Sequence, residues 1–230
     1  MRITTETQSG NTLTGLAEHV FQTVGPPDGR HKRNMCVVDL GCGDGALLLL
    51  ASEMHPGKLN RFVGFETNQC LAKQARSKLA TDQRTTVFSH SFLLDECRPD
   101  EREEVERFFH SGLSPTCYII HYLNNFNYRM ADIRKDNSTL ESKLVKQMED
   151  TAQQRLVARS TASRKYVQAE VLVTLHPVPT PDGWTKSRIP FNFDEPGMAF
   201  SWDPSCTSGS CYQYVAPDPE MVINHGRASR

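Results

Sequence analysis

A glycine-rich segment between a buried strand and a helix constrains this chain more than any other feature. Residues 39–45 read Asp-Leu-Gly-Cys-Gly-Asp-Gly, and they overlap the end of the apolar run Met35–Leu40, which predicts a buried strand. Ala46–Ala51, a run of good helix formers, follows directly. Glycines let a backbone turn sharply and approach a ligand, and a helix N-terminus offers unpaired N–H groups and partial positive charge. The segment therefore predicts a nucleotide-like ligand beside this turn.

The rest of the chain alternates between predicted helices and strands. Helices are predicted at Thr12–Val24, from Ala46 to about His55, at Gln69–Leu79 and from Ser138 to about Ala162; strands are predicted at Met35–Leu40, Arg61–Glu66, Thr85–Ser89, Cys117–Tyr122 and Ala169–Leu175. Such alternation indicates a parallel α/β sheet. Beyond His176 the segments become short and aromatic. Met198–Trp202 and Cys211–Val215, joined by a Pro-, Ser- and Gly-rich stretch, predict a terminal antiparallel hairpin.

Composition excludes several classes of protein. The net charge is -1, so no global field draws the chain to nucleic acid, and any such contact must come from a local patch. No apolar run approaches the ~20 residues of a membrane helix. The seven cysteines form no CxxC pair, which argues against a zinc ribbon or a thioredoxin-like site. Their apolar or glycine-rich surroundings indicate reduced thiols and a cytosolic or nuclear compartment.

Acidic residues in and beside the glycine segment narrow the choice of ligand. Asp39 and Asp44 would repel a pyrophosphate, whereas they suit a cofactor that carries an ammonium group and a sulfonium. Glu66 ends the second strand, where a carboxylate can accept both hydroxyls of a ribose. Nicotinamide enzymes use such an acid too. We therefore expect S-adenosylmethionine, with a nicotinamide site or a turn without ligand as the alternatives.

Four further segments carry a resemblance to a known family: Thr5-Glu6-Thr7, Phe88–Leu93, Leu123-Asn124-Asn125-Phe126, and Gly197–Trp202 with Tyr212 and Tyr214. Together with Val38–Gly43 and Gly64–Glu66, they resemble the catalytic domain of the disruptor-of-telomeric-silencing family of non-SET histone H3 lysine methyltransferases, from about Thr4 to Val215. The resemblance implies an α/β class I methyltransferase (Rossmann-like) fold. That fold has a mostly parallel seven-stranded sheet flanked by helices, with an antiparallel C-terminal hairpin.

The resemblance also implies roles for individual residues. S-adenosyl-L-methionine, and its product S-adenosyl-L-homocysteine, would contact Thr7, Asp39, Gly41, Gly43, Glu66, Ser91, Phe92 and Asn124; the catalytic set would be Asn124, Phe126, Trp202 and Tyr212. Asn124 would lie beside the methyl group, and the three aromatic residues would line a lysine channel, with Tyr214 as the alternative to Tyr212. Neither a metal nor a general base is expected, because alignment and desolvation suffice for an activated methyl group.

The organisation and partners follow from the same resemblance. Residues 1–34 would form a helical segment that covers the cofactor, 35–216 the catalytic domain and 217–230 a tail. The substrate would be a lysine in the globular core of histone H3 in the nucleosome, which implies a nuclear location. Arg30–Arg33 or Arg155–Lys165 would contact DNA phosphates. The alternatives are a class I methyltransferase acting on another protein or a small molecule, and an inactive scaffold, which Ser91 and Ala46 motivate as departures from the family pattern.

Overall fold

The computed structural model describes residues 14–24, 35–108, 117–124, 142–150, 170–200, 203 and 205–217. The helices are α1 (Thr14–Val24), α2 (Ala46–Met54), α3 (Gln69–Lys78) and α4 (Pro99–Arg107), and residues 142–150 are also helical. The strands are β1 (Met35–Leu40), β2 (Arg61–Phe65), β3 (Thr85–Phe88), β4 (Tyr118–Leu123), β5 (Glu170–Thr174), β6 (Thr185–Asn192) and β7 (Ser208–Val215).

The strands form one seven-stranded sheet in the order β3-β2-β1-β4-β5-β7-β6. β1 to β5 are parallel, while β7 runs antiparallel to both β5 and β6. A parallel sheet whose last two strands return as an antiparallel hairpin, with β7 inserted beside β5, is the class I methyltransferase fold. The predicted fold is therefore confirmed.

Helices cover both faces of this sheet. α1, α2 and α3 bury their apolar sides on one face, and α4 and residues 142–150 cover the other. β1 is buried along its whole length because it lies near the middle of the sheet with helices on both sides. None of the helices that the structure describes is long and apolar enough to cross a bilayer. All seven cysteines are free thiols.

The terminal hairpin is confirmed, but the prediction of its first strand was wrong. The partner of β7 is β6, not Met198–Trp202. β6 escapes an apolar pattern because it is an edge strand, where exposed Lys186 and Arg188 and even Pro190 are tolerated. The backbone at Met198 instead reaches α1, since Leu16 donates its N–H to the Met198 carbonyl at 3.0 Å. The division at residues 34 and 216 stays a prediction.

The C-terminal end of α2 is held by one arginine. The Arg84 guanidinium donates to the carbonyls of Ser52 and His55 at 3.1 and 2.8 Å, and it also bonds both carboxylate oxygens of Asp82. Its centre lies 5.1 Å from the centroid of the Phe62 ring. The last carbonyls of a helix lack partners within the helix, so Arg84 supplies what α2 itself cannot.

We expect Arg84→Gln to lower the free energy of unfolding by about 1–3 kcal/mol, because it leaves buried helix carbonyls with fewer donors. The hydrogen bond from Arg84 also lowers the pKa of Asp82, so this contribution is present at neutral pH and is lost as the pH falls below that pKa. Thermal unfolding should therefore show a smaller difference between variant and parent in acid than at pH 7. Lys73→Gln, an exposed control on α3, should change little; an equal effect of both would contradict the assignment.

Candidate active site

The carboxyl ends of the parallel strands meet at one edge of the sheet and bring most of the described candidate residues together. Residues on neighbouring strands at this edge pair in register as Phe88 with Phe65, Phe65 with Leu40, Leu123 with Thr174, Thr174 with Tyr212 and Tyr212 with Arg188. Gly41, Glu66 and Asn124 each follow directly on such a residue. The chain direction across the sheet reverses between β1 and β4, and this is where open α/β sheets bind ligands.

The glycine loop is folded tightly onto the end of β2. The N–H groups of Gly41 and Cys42 both donate to the Phe65 carbonyl, at 3.0 and 2.8 Å. Gly41, Gly43 and Gly45 have φ values of 106°, 54° and 80°, a left-handed region that L side chains rarely adopt. The three glycines are thus required by the turn itself, and α2 starts directly after it.

A fourth glycine, Gly64 in β2, makes room for the loop. A Cβ there would lie 2.5 Å from the Cys42 Sγ and 2.8 Å from the Leu48 Cδ1. Cys42 is 5% exposed and packs into the apolar cluster beneath α2. Sequence reasoning placed Gly64 in a motif but gave it no role; a glycine at the centre of a buried strand was the available signal.

Glu66 joins the glycine loop to the start of α3. Its Oε2 accepts the Gly43 N–H at 2.9 Å and its Oε1 accepts the Asn68 N–H at 2.7 Å. Asn68 in turn caps α3 by accepting from the N–H groups of Cys70 and Leu71. A carboxylate has about four acceptor positions, so these two backbone bonds orient Glu66 and leave capacity for the donors of a ligand.

Asp39 is a buried acid next to a second acid. Only 4% of the residue is exposed, and burial, followed by the charge of Glu66, raises the pKa of its carboxyl to about 8. Within the described ranges, no lysine or arginine forms an ion pair with Asp39 or Glu66. A positively charged ligand group would relieve both the burial of this acid and its repulsion by Glu66. The acid pair therefore fits a cofactor with an ammonium group and a sulfonium.

Asp44 serves the loop itself. Its Oδ2 lies 2.5 Å from the Lys78 Nζ, and its Oδ1 accepts the Ala46 N–H at 3.2 Å. Asp44 thus fixes the first turn of α2 against α3 and carries a partner charge. Of the two acids that led us to expect a cationic cofactor, only Asp39 stands without an ion pair among the described residues.

The segment after β3 has a fixed shape. The Ser91 hydroxyl donates to Glu96 Oε2 at 2.9 Å and accepts the Leu93 N–H at 3.1 Å. Phe92 is buried, and its carbonyl accepts from the side-chain amide of Gln147 at 2.9 Å. Gln147, which sequence reasoning missed, anchors this segment to helical residues 142–150. The contacts of Ser91 and Phe92 with adenine stay predictions.

The two tyrosines of β7 differ in their surroundings. Tyr214 is fully buried, and its hydroxyl both accepts the Val178 N–H at 2.8 Å and donates to the Val178 carbonyl at 3.0 Å. Tyr212 is half-buried and lies in register with Thr174 at the end of β5. Tyr212 is therefore the better candidate for a substrate contact. Asn124 is half-buried after β4, whereas Thr7, Phe126 and Trp202 lie outside the described residues.

Comparisons with known proteins agree with the architecture. No family model and no curated protein matches the chain. Among solved structures, it is similar to the candidate methyltransferase yhhF of Escherichia coli (14% identity, TM-score 0.45, covering 87% of this chain and 85% of that one). It is also similar to the 23S rRNA methyltransferase ErmE (14% identity, TM-score 0.44, 88% and 69%). A third is the plantazolicin methyltransferase BpumL in complex with SAH (11% identity, TM-score 0.33, 71% and 45%), of which this chain spans less than half.

We expect Gly64→Ala to destabilise the protein by about 1–3 kcal/mol, because the added methyl group overlaps Cys42 and Leu48. Adding Cys42→Ala should recover part of that loss, since it removes the closest atom. Chemical denaturation of the two single variants and the double variant measures this coupling. Strictly additive effects would show that Gly64 is not required by Cys42.

Proposed function

We propose that this chain is an S-adenosylmethionine-dependent methyltransferase whose cofactor binds across the glycine loop at the carboxyl edge of the sheet. The observation that carries the proposal is Asp39, a buried acid at the end of β1 whose pKa is raised to about 8 beside Glu66. When bound, the cofactor supplies a methyl group that its sulfonium has already activated. The protein then has only to position the acceptor and exclude water.

The residues around the edge divide this work. Glu66, held by two backbone N–H groups, is oriented to accept the ribose hydroxyls. The glycines allow the backbone to approach the methionine part, and the N-terminus of α2 favours its carboxylate. Asn124, at the end of β4, lies at the junction between this half of the edge and the half formed by β5 and β7. We assign it to the methyl group.

For the acceptor, we propose a lysine in the globular core of nucleosomal histone H3, which would make the nucleosome the partner and the nucleus the location. The support is the Asn124-Asn125-Phe126 resemblance, together with the alignment of Leu123, Thr174 and Tyr212 across the same edge. A methyltransferase acting on another protein or a small molecule fits the described geometry equally well. None of the three similar solved structures is named for a histone.

Cofactor binding should release protons between about pH 6 and 8, because a cationic ligand lowers the raised pKa of Asp39. Calorimetry of S-adenosylhomocysteine binding in buffers of different ionisation enthalpy measures this release. Asp39→Asn should abolish it and weaken binding about tenfold or more, whereas the control Asp44→Asn, whose acid is paired with Lys78, should retain it. Failure of the parent protein to bind the cofactor would refute the proposed function; binding without proton release would refute the role of Asp39.

The same variant gives a second readout without cofactor. A raised carboxyl pKa in the folded state makes the protein less stable as the pH rises from about 4 towards 8, by at most about 1.4 kcal/mol per pH unit. Asp39→Asn removes this penalty. Its unfolding midpoint should therefore exceed that of the parent by an amount that grows with pH.

The acceptor is tested by transfer of labelled methyl groups to recombinant nucleosomes, free histones, RNA and small-molecule extracts. The histone proposal expects label in H3 on nucleosomes, lost in Asn124→Ala while cofactor binding is kept. Label on any other acceptor, with nucleosomes unlabelled, would establish the alternative. Cofactor binding with no labelled acceptor would favour the scaffold.

A further inference from the structure

A small basic surface lies on the outer strand of the sheet. Lys186 and Arg188, both exposed on β6, stand over the ring of half-buried Tyr212: the Lys186 Nζ is 5.2 Å and the Arg188 guanidinium centre 5.8 Å from its centroid. We call these three residues the Tyr212 cluster. Within the part of the chain that the structure describes, neither cation forms an ion pair with an acid.

The Tyr212 cluster lies at the edge that carries the candidate active site. Leu123, Thr174, Tyr212 and Arg188 are successive partners across β4, β5, β7 and β6. Neighbouring strands are about 4.8 Å apart, so the backbone of Tyr212 lies roughly 10 Å from the end of β4, where Asn124 follows. A polymeric acceptor held at Asn124 would therefore pass within reach of both cations.

We propose that the Tyr212 cluster binds phosphate groups of a nucleic acid beside the active site; this rests on the proposed function and specifies a partner for the same site. A guanidinium stacked on an aromatic ring keeps its N–H donors at the rim, where they match phosphate oxygens. Two residues along a strand span about 6.8 Å, so Lys186 and Arg188 can engage successive phosphates of one strand. The ring between them adds an aromatic surface of the kind that nucleic-acid sites use.

Protection of the sheet edge, or an acidic peptide as the partner, would account for less of this arrangement. Exposed charges on an edge strand discourage pairing with other sheets, but this does not require them to lie over tyrosine rings. Lys186 also stands 5.5 Å from the ring of Tyr214, so the side chain is drawn back along the sheet towards the hairpin surface instead of extending from the open edge. An acidic peptide offers carboxylates but no polymer of regularly spaced phosphates and planar bases, which the cluster matches.

Fluorescence anisotropy with labelled single-stranded RNA and labelled duplex DNA, over a range of salt concentrations, tests the proposal. Lys186→Gln/Arg188→Gln should weaken binding about tenfold or more and reduce the salt slope by about 1.4 on the single strand or about 1.8 on the duplex, as expected for two lost phosphate contacts. The control Lys58→Gln/Lys73→Gln carries the same change in charge at exposed positions outside the hairpin, and it should bind like the parent. The arm with the larger loss identifies the form of nucleic acid.

S-adenosylhomocysteine affinity, measured on the same proteins, separates this proposal from the proposed function. Unchanged nucleic-acid binding by the double variant, no binding by the parent, or equal competition by a polyglutamate of matched charge would overturn the nucleic-acid surface even if the cofactor binds. Loss of nucleic-acid binding in the double variant, without any cofactor binding by the parent, would support the surface and refute the methyltransferase proposal.

Discussion

The N–H groups of Gly41 and Cys42 share one acceptor, the Phe65 carbonyl, and the geometry of the site depends on this tie between β1 and β2. It turns the chain sharply enough to bring the Gly43 N–H to Glu66 and to start α2 at once. It also places Cys42 against the backbone of Gly64, where no side chain fits. Backbone bonds and a missing side chain thus set the loop, while its polar side chains remain available for other work.

α2 is held at both ends by residues distant in sequence. Lys78 pairs with Asp44 at its beginning, and Arg84 serves the carbonyls at its end. A helix fixed in this way lets the loop before it keep Asp39 buried, despite a pKa raised to about 8. The protein tolerates that destabilising acid because the surrounding structure over-determines the loop, which is the arrangement expected where strain serves binding.

Sequence reasoning succeeded where local pattern decides the structure. The apolar run at β1, the glycines and the helix formers after them place three elements almost to the residue, since β1 is buried on both faces. It failed for β6, whose exposed lysine and arginine hide a strand that only its pairing with β7 reveals. It could not choose between Tyr212 and Tyr214 either, because residues two apart share a face and only Val178, a long-range partner, separates their roles.

Charge is distributed unevenly along the carboxyl edge of the sheet. Asp39 and Glu66 lie at β1 and β2, whereas Lys186 and Arg188 lie on β6, four strand spacings or about 20 Å from β1. An edge that is acidic at one end and basic at the other orients two ligands of opposite charge without further contacts. A cationic cofactor is directed to the glycine loop and a polyanion to the hairpin, so the groups between them, beside Asn124, are where the two would meet.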